Sequence, residues 1–301
     1  MDIILSVSNL KKSFGDIKAV NDISFNVRRG SLFAFLGPNG AGKSTTINMI
    51  STLLEKDNGK ILLNNQSDDT YFRHKIGVVF QANILDNDLT VKENLIYRGA
   101  LYINDQKGVL KRYEELKSYL RLDEFENQRF KTLSGGQKRR AEIARALFSN
   151  PEILFLDEPT TGLDPETRQV VWRVIDQLRK EKGMTIFLTT HYMEEAAIAD
   201  HVVIINKGVI VAEGTPTELK SKHSYDRLKI VPIDKKTLTT YLDSIKKPYF
   251  KISDEYIMQV DEATVAIDII CNQKDNIKQF EVIKGTMDDV FIEVIGSDQH
   301  V

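Results

Sequence analysis

Nine consecutive residues, Gly37-Pro38-Asn39-Gly40-Ala41-Gly42-Lys43-Ser44-Thr45, have the types and spacing to hold a phosphate group. Three glycines let the backbone fold back so that its N–H groups converge, and side chains there would obstruct an approaching anion. Lys43 supplies a mobile positive charge for β- and γ-phosphates, and the Ser44 hydroxyl suits Mg²⁺. A helix starting near Lys43 adds the positive end of its dipole. The apolar run Leu32–Leu36 precedes the loop and the amphipathic stretch Thr46–Ile50 follows it. Strand, tight loop and helix in that order point to a nucleotide-binding protein rather than to a glycine turn before a chance Lys-Ser.

Four further places could do chemistry. Asp157 and Glu158 end the continuous apolar run Ile153–Leu156. Adjacent carboxylates at the end of a buried strand are costly unless they meet metal, water or cations. Neighbouring strand residues point to opposite sides, so one carboxylate can serve Mg²⁺ while the other faces an attacking water. Gln81 directly follows the short strand Ile76–Phe80, where the carboxyl edge of a parallel sheet faces ligands. His191 ends the strand Thr185–Thr190. Leu133-Ser134-Gly135-Gly136-Gln137 opens a helix, Lys138–Phe148, with Ser134 as N-cap and two glycines exposing N–H groups. Taken singly, these are a loop glutamine, a satisfied histidine and a capped helix.

The elements that must carry these residues alternate along the chain. Ile3–Leu10 and Ala19–Val27 read as alternating strands, with Lys11–Gly15 as a turn between them. Gly59–Leu63 is a further short strand. From about 86 to 120 the apolar residues Leu89, Val91, Leu95, Ile96, Leu110, Leu116 and Leu120 recur at helical spacing, which suggests a helical insertion spanning 86–150. Glu166–Lys182 is a helix with Pro165 at its start, and its apolar stripe runs from Val170 to Leu178. Tyr192–Ala199 and Thr215–Lys220 read as short helices, and Val202–Ile205 pairs with Val209–Ala212 as a hairpin. The remaining stretch alternates strand and helix: Leu228–Val231, Lys236–Ile245, Tyr256–Val260, Glu262–Cys271, Ile277–Ile283 and Met287–Ile295. The expected division is 1–221 for a large nucleotide-binding domain and 222–301 for a small α+β domain.

Composition narrows the class. The chain has 301 residues, 42% hydrophobic and 28% charged, which suits one large globular domain with a smaller one. A net charge of −2 gives no electrostatic footprint for nucleic acid. Residues 222–301 carry 11 Lys and Arg against 14 Asp and Glu, so they form no basic arm. The single cysteine, Cys271, rules out an internal disulfide framework and reads as plain core in an apolar run. No apolar run approaches the ~18 residues of a membrane-spanning helix. Met1–Leu5 lacks the basic start and cleavage site of a signal peptide. Work at a membrane is therefore expected to go through a partner.

Gly37–Thr45, Gln81, Leu133–Gln137, Ile153–Glu158 and His191 in this order resemble the ATP-binding subunits of ATP-binding cassette (ABC) transporters. The LSGGQ pentapeptide at 133–137 discriminates, because other P-loop enzymes lack it. The resemblance covers about residues 3–220, with these stretches matching Walker A, Q-loop, signature, Walker B and H-switch, and Gly162-Leu163-Asp164 matching the D-loop. It implies an α/β P-loop NTPase with a mostly parallel sheet core, an N-terminal antiparallel β subdomain and a helical insertion, plus the small α+β C-terminal domain. It implies ATP and Mg²⁺ as ligands, with Asp157, Ser44 and Gln81 toward the metal. Glu158 would be the general base, Lys43 and His191 would hold the γ-phosphate, and Gln81 would lie against a membrane partner. Phe14, which from the residues alone packs the strand turn, would stack on adenine. Ser134, Gly135, Gly136, Gln137 and Asp164 would close over ATP bound to a second ATP-binding subunit, in a homodimer or a heterodimer. Thr189–Ala196 and Gly285–Phe291 resemble the branch serving drug, antibiotic, lipid and polysaccharide exporters, which implies integral membrane permease subunits and a peripheral position on the cytoplasmic face of the cell membrane.

Two other classes are weaker. One is a single-cassette ABC ATPase with a non-transport role on ribosomes or DNA. Ribosome-acting members usually carry two cassettes with a basic linker, and DNA-acting members insert long coiled coils between Walker A and signature. This sequence shows one cassette, an acidic tail and too short an interval. Small-molecule P-loop kinases have no LSGGQ and need no group like His191.

Overall fold

The computed structural model describes residues 2–260 and 263–296. Met1, Asp261, Glu262 and residues 297–301, which the sequence reading assigns to its two domains, lie outside the described residues. Packing divides the chain into two compact units, Met1–Thr215 and Pro216–Val301.

The first unit runs β1 (Ile3–Phe14), β2 (Ile17–Arg28), β3 (Leu32–Leu36), α1 (Lys43–Ile50), β4 (Asn58–Leu63), α2 (Asp69–Lys75), β5 (Ile76–Val79), α3 (Val91–Gly99), α4 (Gln106–Leu120), α5 (Gly135–Leu147), β6 (Ile153–Asp157), α6 (Pro165–Lys182), β7 (Thr185–Thr190), α7 (Met193–Ala197), β8 (His201–Asn206) and β9 (Val209–Gly214). Six strands form one sheet in the order β5-β6-β7-β3-β8-β9. Every pair is parallel except β8 with β9. All residues of β3, β6 and β7 are buried, as a parallel sheet covered on both faces requires. Four adjacent strands, β5, β6, β7 and β3, end at Gln81, Asp157–Glu158, His191 and the Gly37–Thr45 loop. This adjacency converts scattered motifs into one site.

A three-stranded antiparallel sheet, ordered β2-β1-β4, supplies the second layer. The expected turn at Lys11–Gly15 is shorter than the sequence suggests. Lys11–Phe14 belong to β1 and pair with Asn21, Val20, Lys18 and Ile17, which leaves only Gly15-Asp16 to turn. Bulges around Leu10 and Ser13 break the strict alternation that marks a strand in sequence. The layers meet through aromatic side chains: Phe25 lies 5.4 Å from Phe33, and Phe187 lies 5.0 Å from Phe33 and 5.1 Å from Phe155. Burying each such ring contributes about 1.5–3 kcal/mol, which holds β3, β6 and β7 rigidly beneath the site.

The helical insertion comprises α3, α4 and α5. Its apolar stripe on α4 is Val109, Tyr113, Leu116 and Leu120, all buried. Leu110, expected in that stripe, is 40% exposed because the four- and three-residue spacing selects Val109 instead. The helix α5 begins at Gly135 rather than Lys138, since Ser134 caps it there. The helix α2 was not foreseen; Asp68 caps it by accepting from the Tyr71 N–H at 2.7 Å.

The second unit runs α8 (Pro216–His223), β10 (Asp226–Pro232), α9 (Lys235–Ser244), β11 (Tyr249–Ile252), β12 (Glu255–Val260), α10 (Ala263–Asn272), β13 (Ile277–Ile283) and α11 (Met287–Gly296). Helix α8 packs with α11, so the division falls ahead of the 221/222 boundary read from the sequence. An antiparallel sheet ordered β11-β12-β10-β13 covers a core of Leu228, Ile230, Leu238, Leu242, Tyr256, Met258, Val260, Ala266 and Ile269. The strand β11 was not foreseen. The expected helix from Glu262 is described from Ala263 onward. Cys271 is exposed, not core: Ala266 and Ile269 face inward, and Cys271 falls with exposed Ile267 one turn away.

Candidate active site

The phosphate loop joins β3 to α1. Gly42 is the N-cap of α1 with φ +108, and a Cβ there would stand 2.3 Å from the Ala19 carbonyl oxygen. Only glycine fits such a backbone beneath the antiparallel layer. The Lys43 side chain turns back over the loop, and its Nζ donates to the Gly37 and Pro38 carbonyls at 2.8 and 3.1 Å. Ala19, Asn39, Gly40, Gly42, Lys43, Ser44, Thr45, Gln81, Glu158, Thr161 and His191 line a cavity of about 540 Å³. A larger cavity, about 780 Å³ between α6 and α7, lacks any phosphate loop, so chemistry and not size selects the site.

Glu158 is the centre of this cavity's charge. Its Oε1 lies 3.3 Å from Lys43 Nζ, and both side chains are under a tenth exposed. Its Oε2 lies 3.3 Å from His191 Nδ1, accepts from Thr161 Oγ1 at 3.1 Å and meets Gln81 Nε2 at 3.5 Å. Burial opposes ionisation of this carboxyl, but the charges of Lys43 and His191 outweigh it and hold the pKa below the ordinary glutamate range.

Asp157 faces elsewhere. Its Oδ1 accepts from Thr189 Oγ1 at 2.5 Å and from Ser44 Oγ at 3.3 Å. The two carboxylates do have separate surroundings, though not through strand alternation. The strand β6 ends at Asp157, and Glu158 stands beyond it at φ +45, in the left-handed region. That departure re-aims the Glu158 side chain, and the Glu158 N–H is held by the Thr189 carbonyl and hydroxyl at 3.2 and 3.1 Å.

A hydroxyl and a carboxylate meeting at Ser44 and Asp157 suit a hard cation, which takes oxygen ligands. No cluster of three His, Cys, Asp or Glu side chains stands among the described residues. Mg²⁺ needs none, since it binds through one or two carboxylates plus substrate phosphates and water.

The signature residues lie outside this cavity. Ser134 caps α5 in a reciprocal box: its Oγ accepts from the Gln137 N–H at 3.3 Å, and Gln137 Oε1 accepts from the Ser134 N–H at 2.9 Å. Gly135 and Gly136 pack against the same chain: a Cβ on Gly135 would stand 2.7 Å from Leu163 in the following loop, and one on Gly136 2.4 Å from Thr167 Cγ2 in the first turn of α6. Asp164 caps α6 by accepting from the Thr167 N–H at 3.0 Å. Phe14 stands at the β1–β2 turn, 49% exposed, with Lys12 Nζ 5.7 Å from its ring centre.

Thr161 and Thr189 were missed from the sequence. Thr189 shares its buried strand with Thr185 and Thr190, so its hydroxyl carries no signal of its own, and only the strand register sets it opposite Asp157.

Comparison with known proteins identifies the family. The ABC transporter family profile matches residues 20–161. The doxorubicin resistance ATP-binding protein of Mycobacterium tuberculosis is 39% identical over 243 residues, 79% of this chain and 73% of that protein. The Nod factor export ATP-binding protein I of Bradyrhizobium diazoefficiens is 40% identical over 226 residues, 74% of each chain. An ATP-binding cassette solved as a dimer in a post-hydrolysis state with ADP and Pi superposes with a TM-score of 0.63 at 30% identity, covering 70% of this chain and 98% of that one. No described helix is long and apolar enough to cross a membrane. With its phosphate loop, signature and paired carboxylates on this scaffold, the chain belongs to the ATP-hydrolysing, ATP-binding proteins of the ABC transporter family.

Proposed function

We propose that this ATPase drives export through separate membrane subunits, and that Glu158 is the general base of its hydrolytic step. The convergence of Lys43, His191, Gln81 and Thr161 on the Glu158 carboxylate carries this reading. Lys43 and the loop N–H groups bind the β- and γ-phosphates. Glu158 orients water and takes its proton as it attacks the γ-phosphorus, and the bond from that phosphorus to the leaving oxygen of ADP breaks. His191 holds the γ-phosphate, and Gln81 positions the water. Ser44, Asp157 and Gln81 would hold Mg²⁺, which when bound neutralises phosphate charge.

The adenine ring stacks on exposed Phe14. Ser134 to Gln137, together with Asp164, meet the ATP of a second ATP-binding subunit. Their position outside the chain's own cavity and the dimeric relative support this sandwich. Partly exposed Ile84, Tyr97, Leu101 and Tyr102, close after Gln81, offer an apolar surface to a membrane subunit. Arg98 ties this surface together by donating to the Ile84 carbonyl at 3.0 Å. The chain would then sit peripherally on the cytoplasmic face of the membrane. Relatives named for doxorubicin resistance and Nod factor export support an exporter role. Residues 1–221 carry the chemistry in this reading, and residues 222–301 serve assembly or regulation.

The test is Glu158→Gln. Phosphate release should fall by about 10²–10⁴, the usual cost of losing a general base, with ATP affinity nearly unchanged. The ATP-bound dimer should accumulate on size exclusion with Mg·ATP. Full turnover would move the base to Asp157 or His191.

A further inference from the structure

Arg139 is a buried cation that none of these roles uses. It lies on α5, just past the Ser134–Gln137 box, and is 6% exposed. Its Nη1 donates to the Phe80 carbonyl at 2.7 Å, and its Nη2 donates to the Glu158 carbonyl at 3.1 Å. The first carbonyl immediately precedes Gln81, and the second belongs to the proposed base itself. A guanidinium holds two acceptors at once in a fixed planar fork, which an ammonium cannot do.

Burying a guanidinium costs free energy that hydrogen bonds must offset. The carboxylates whose charge acts on Arg139 are otherwise engaged: Glu142 accepts from the Ile84 and Leu85 N–H groups at 2.6 and 2.9 Å and from Arg145 at 2.8 Å, and Asp157 accepts from Thr189 and Ser44. The Arg139 donors instead reach main-chain oxygens at the ends of β5 and β6. One of those ends needs support, because Glu158 is a non-glycine residue in the left-handed region, a conformation costing of order 1–3 kcal/mol that persists only when neighbours over-determine it.

We infer that Arg139 is a positioning residue for hydrolysis, fixing the Gln81 and Glu158 backbones from the helix that the signature opens. Movement of α5 is thereby passed to both the water-orienting amide and the base within one chain. The inference rests on the assignment of Glu158 as base.

The experiment is steady-state ATPase kinetics of the full chain with Mg·ATP, comparing Arg139→Met, Arg139→Lys and Glu158→Gln. Arg139→Met should lower kcat by about 10- to 100-fold, the scale of ångström misplacement in a catalytic site. KM should stay within about twofold, since phosphate binding is untouched. Arg139→Lys should recover part of kcat by reaching one carbonyl. A wild-type kcat in Arg139→Met beside an inactive Glu158→Gln overturns the inference alone, whereas an active Glu158→Gln removes the base assignment beneath it. A lowered melting temperature with unchanged kcat makes Arg139 merely structural and also overturns it. If Arg139→Met fails to fold, Arg139→Lys decides: reduced kcat at unchanged KM and melting temperature supports the role, and wild-type kcat refutes it.

Discussion

The two units of this chain treat charge in opposite ways. In the first, Lys43 and Glu158 meet 3.3 Å apart with 4% and 9% of their side chains exposed, and His191 joins them. In the second, ions pair locally at the surface: Arg227 with Asp289 at 2.9 Å, Lys235 with Asp254 at 2.6 Å, and Lys284 with Asp226 at 2.5 Å. Asp234 and Asp289 there serve helix N-termini, each accepting main-chain N–H groups. Exposed pairs are worth about 0–1 kcal/mol each and stabilise a fold without needing a ligand. A buried pair bears a desolvation cost that stability alone does not explain. The difference teaches where to look for chemistry: the costly arrangement lies at the carboxyl edge of the parallel sheet.

The sharpest way to break the comparison is to remove the buried cation. Lys43→Ala should weaken ATP binding by roughly 100-fold or more, because charge-assisted contacts to phosphate are among the strong ones. Titration of the folded mutant with ATP measures this, and unchanged affinity would dissolve the phosphate-cradle reading of Gly37–Thr45.

A smaller but more selective effect should follow Ser134→Arg. The capping box is lost, at about 1 kcal/mol, and a bulky cation stands where a second subunit must close. Hydrolysis should fall while ATP binding survives. Wild-type turnover in this mutant would argue against the sandwich role of Leu133–Gln137.

Structural ion pairs should report only through stability. Glu152 accepts from Lys75, Arg29 and Asn64, and these contacts, led by Lys75, lower its pKa from the usual 4.5 to about 2. A carboxyl depressed on folding contributes stability above pH 4.5 that is lost as pH falls toward about 2. With its side chain 29% exposed, solvent screening limits the contribution to about 1–2 kcal/mol. Glu152→Gln should therefore be less stable than wild type at neutral pH, with the gap closing across pH 4.5 to 2 in denaturant titrations. A gap independent of pH would assign the loss to packing.

The smallest effect is expected from removing the second unit altogether. A chain ending at Thr215 should bind ATP with affinity within about twofold of full length, since the described residues that line the phosphate cavity run from Ala19 to His191. A folded truncation unable to bind ATP would contradict the contrast between the units.

Much of this contrast was legible in the sequence, wherever a signal is local. The run Leu32–Ile50 announces strand, loop and helix because glycines, an apolar strand and an amphipathic start act over a few residues. The Ser134 cap was equally legible, since its partner Gln137 is three positions away. Less legible were places where packing overrides a local pattern. Lys11–Phe14 look like a turn but continue β1 through bulges, and Cys271 sits in an apolar run yet faces outward because α10 has only one covered face.

The sequence by itself determined the inventory: a phosphate loop, two adjacent carboxylates, a strand-end histidine and a capped glycine pair, in an order shared with ABC ATPases. Only the tertiary structure decided how they are aimed. Strand order brings β5, β6, β7 and β3 side by side, so residues more than a hundred positions apart, Lys43 and Glu158, come within 3.3 Å. The left-handed turn at Glu158, the Thr189 bridge and the Arg139 fork have no local signature. Each depends on a partner on another strand or helix, and a backbone conformation that costs free energy forms only where such distant partners hold it.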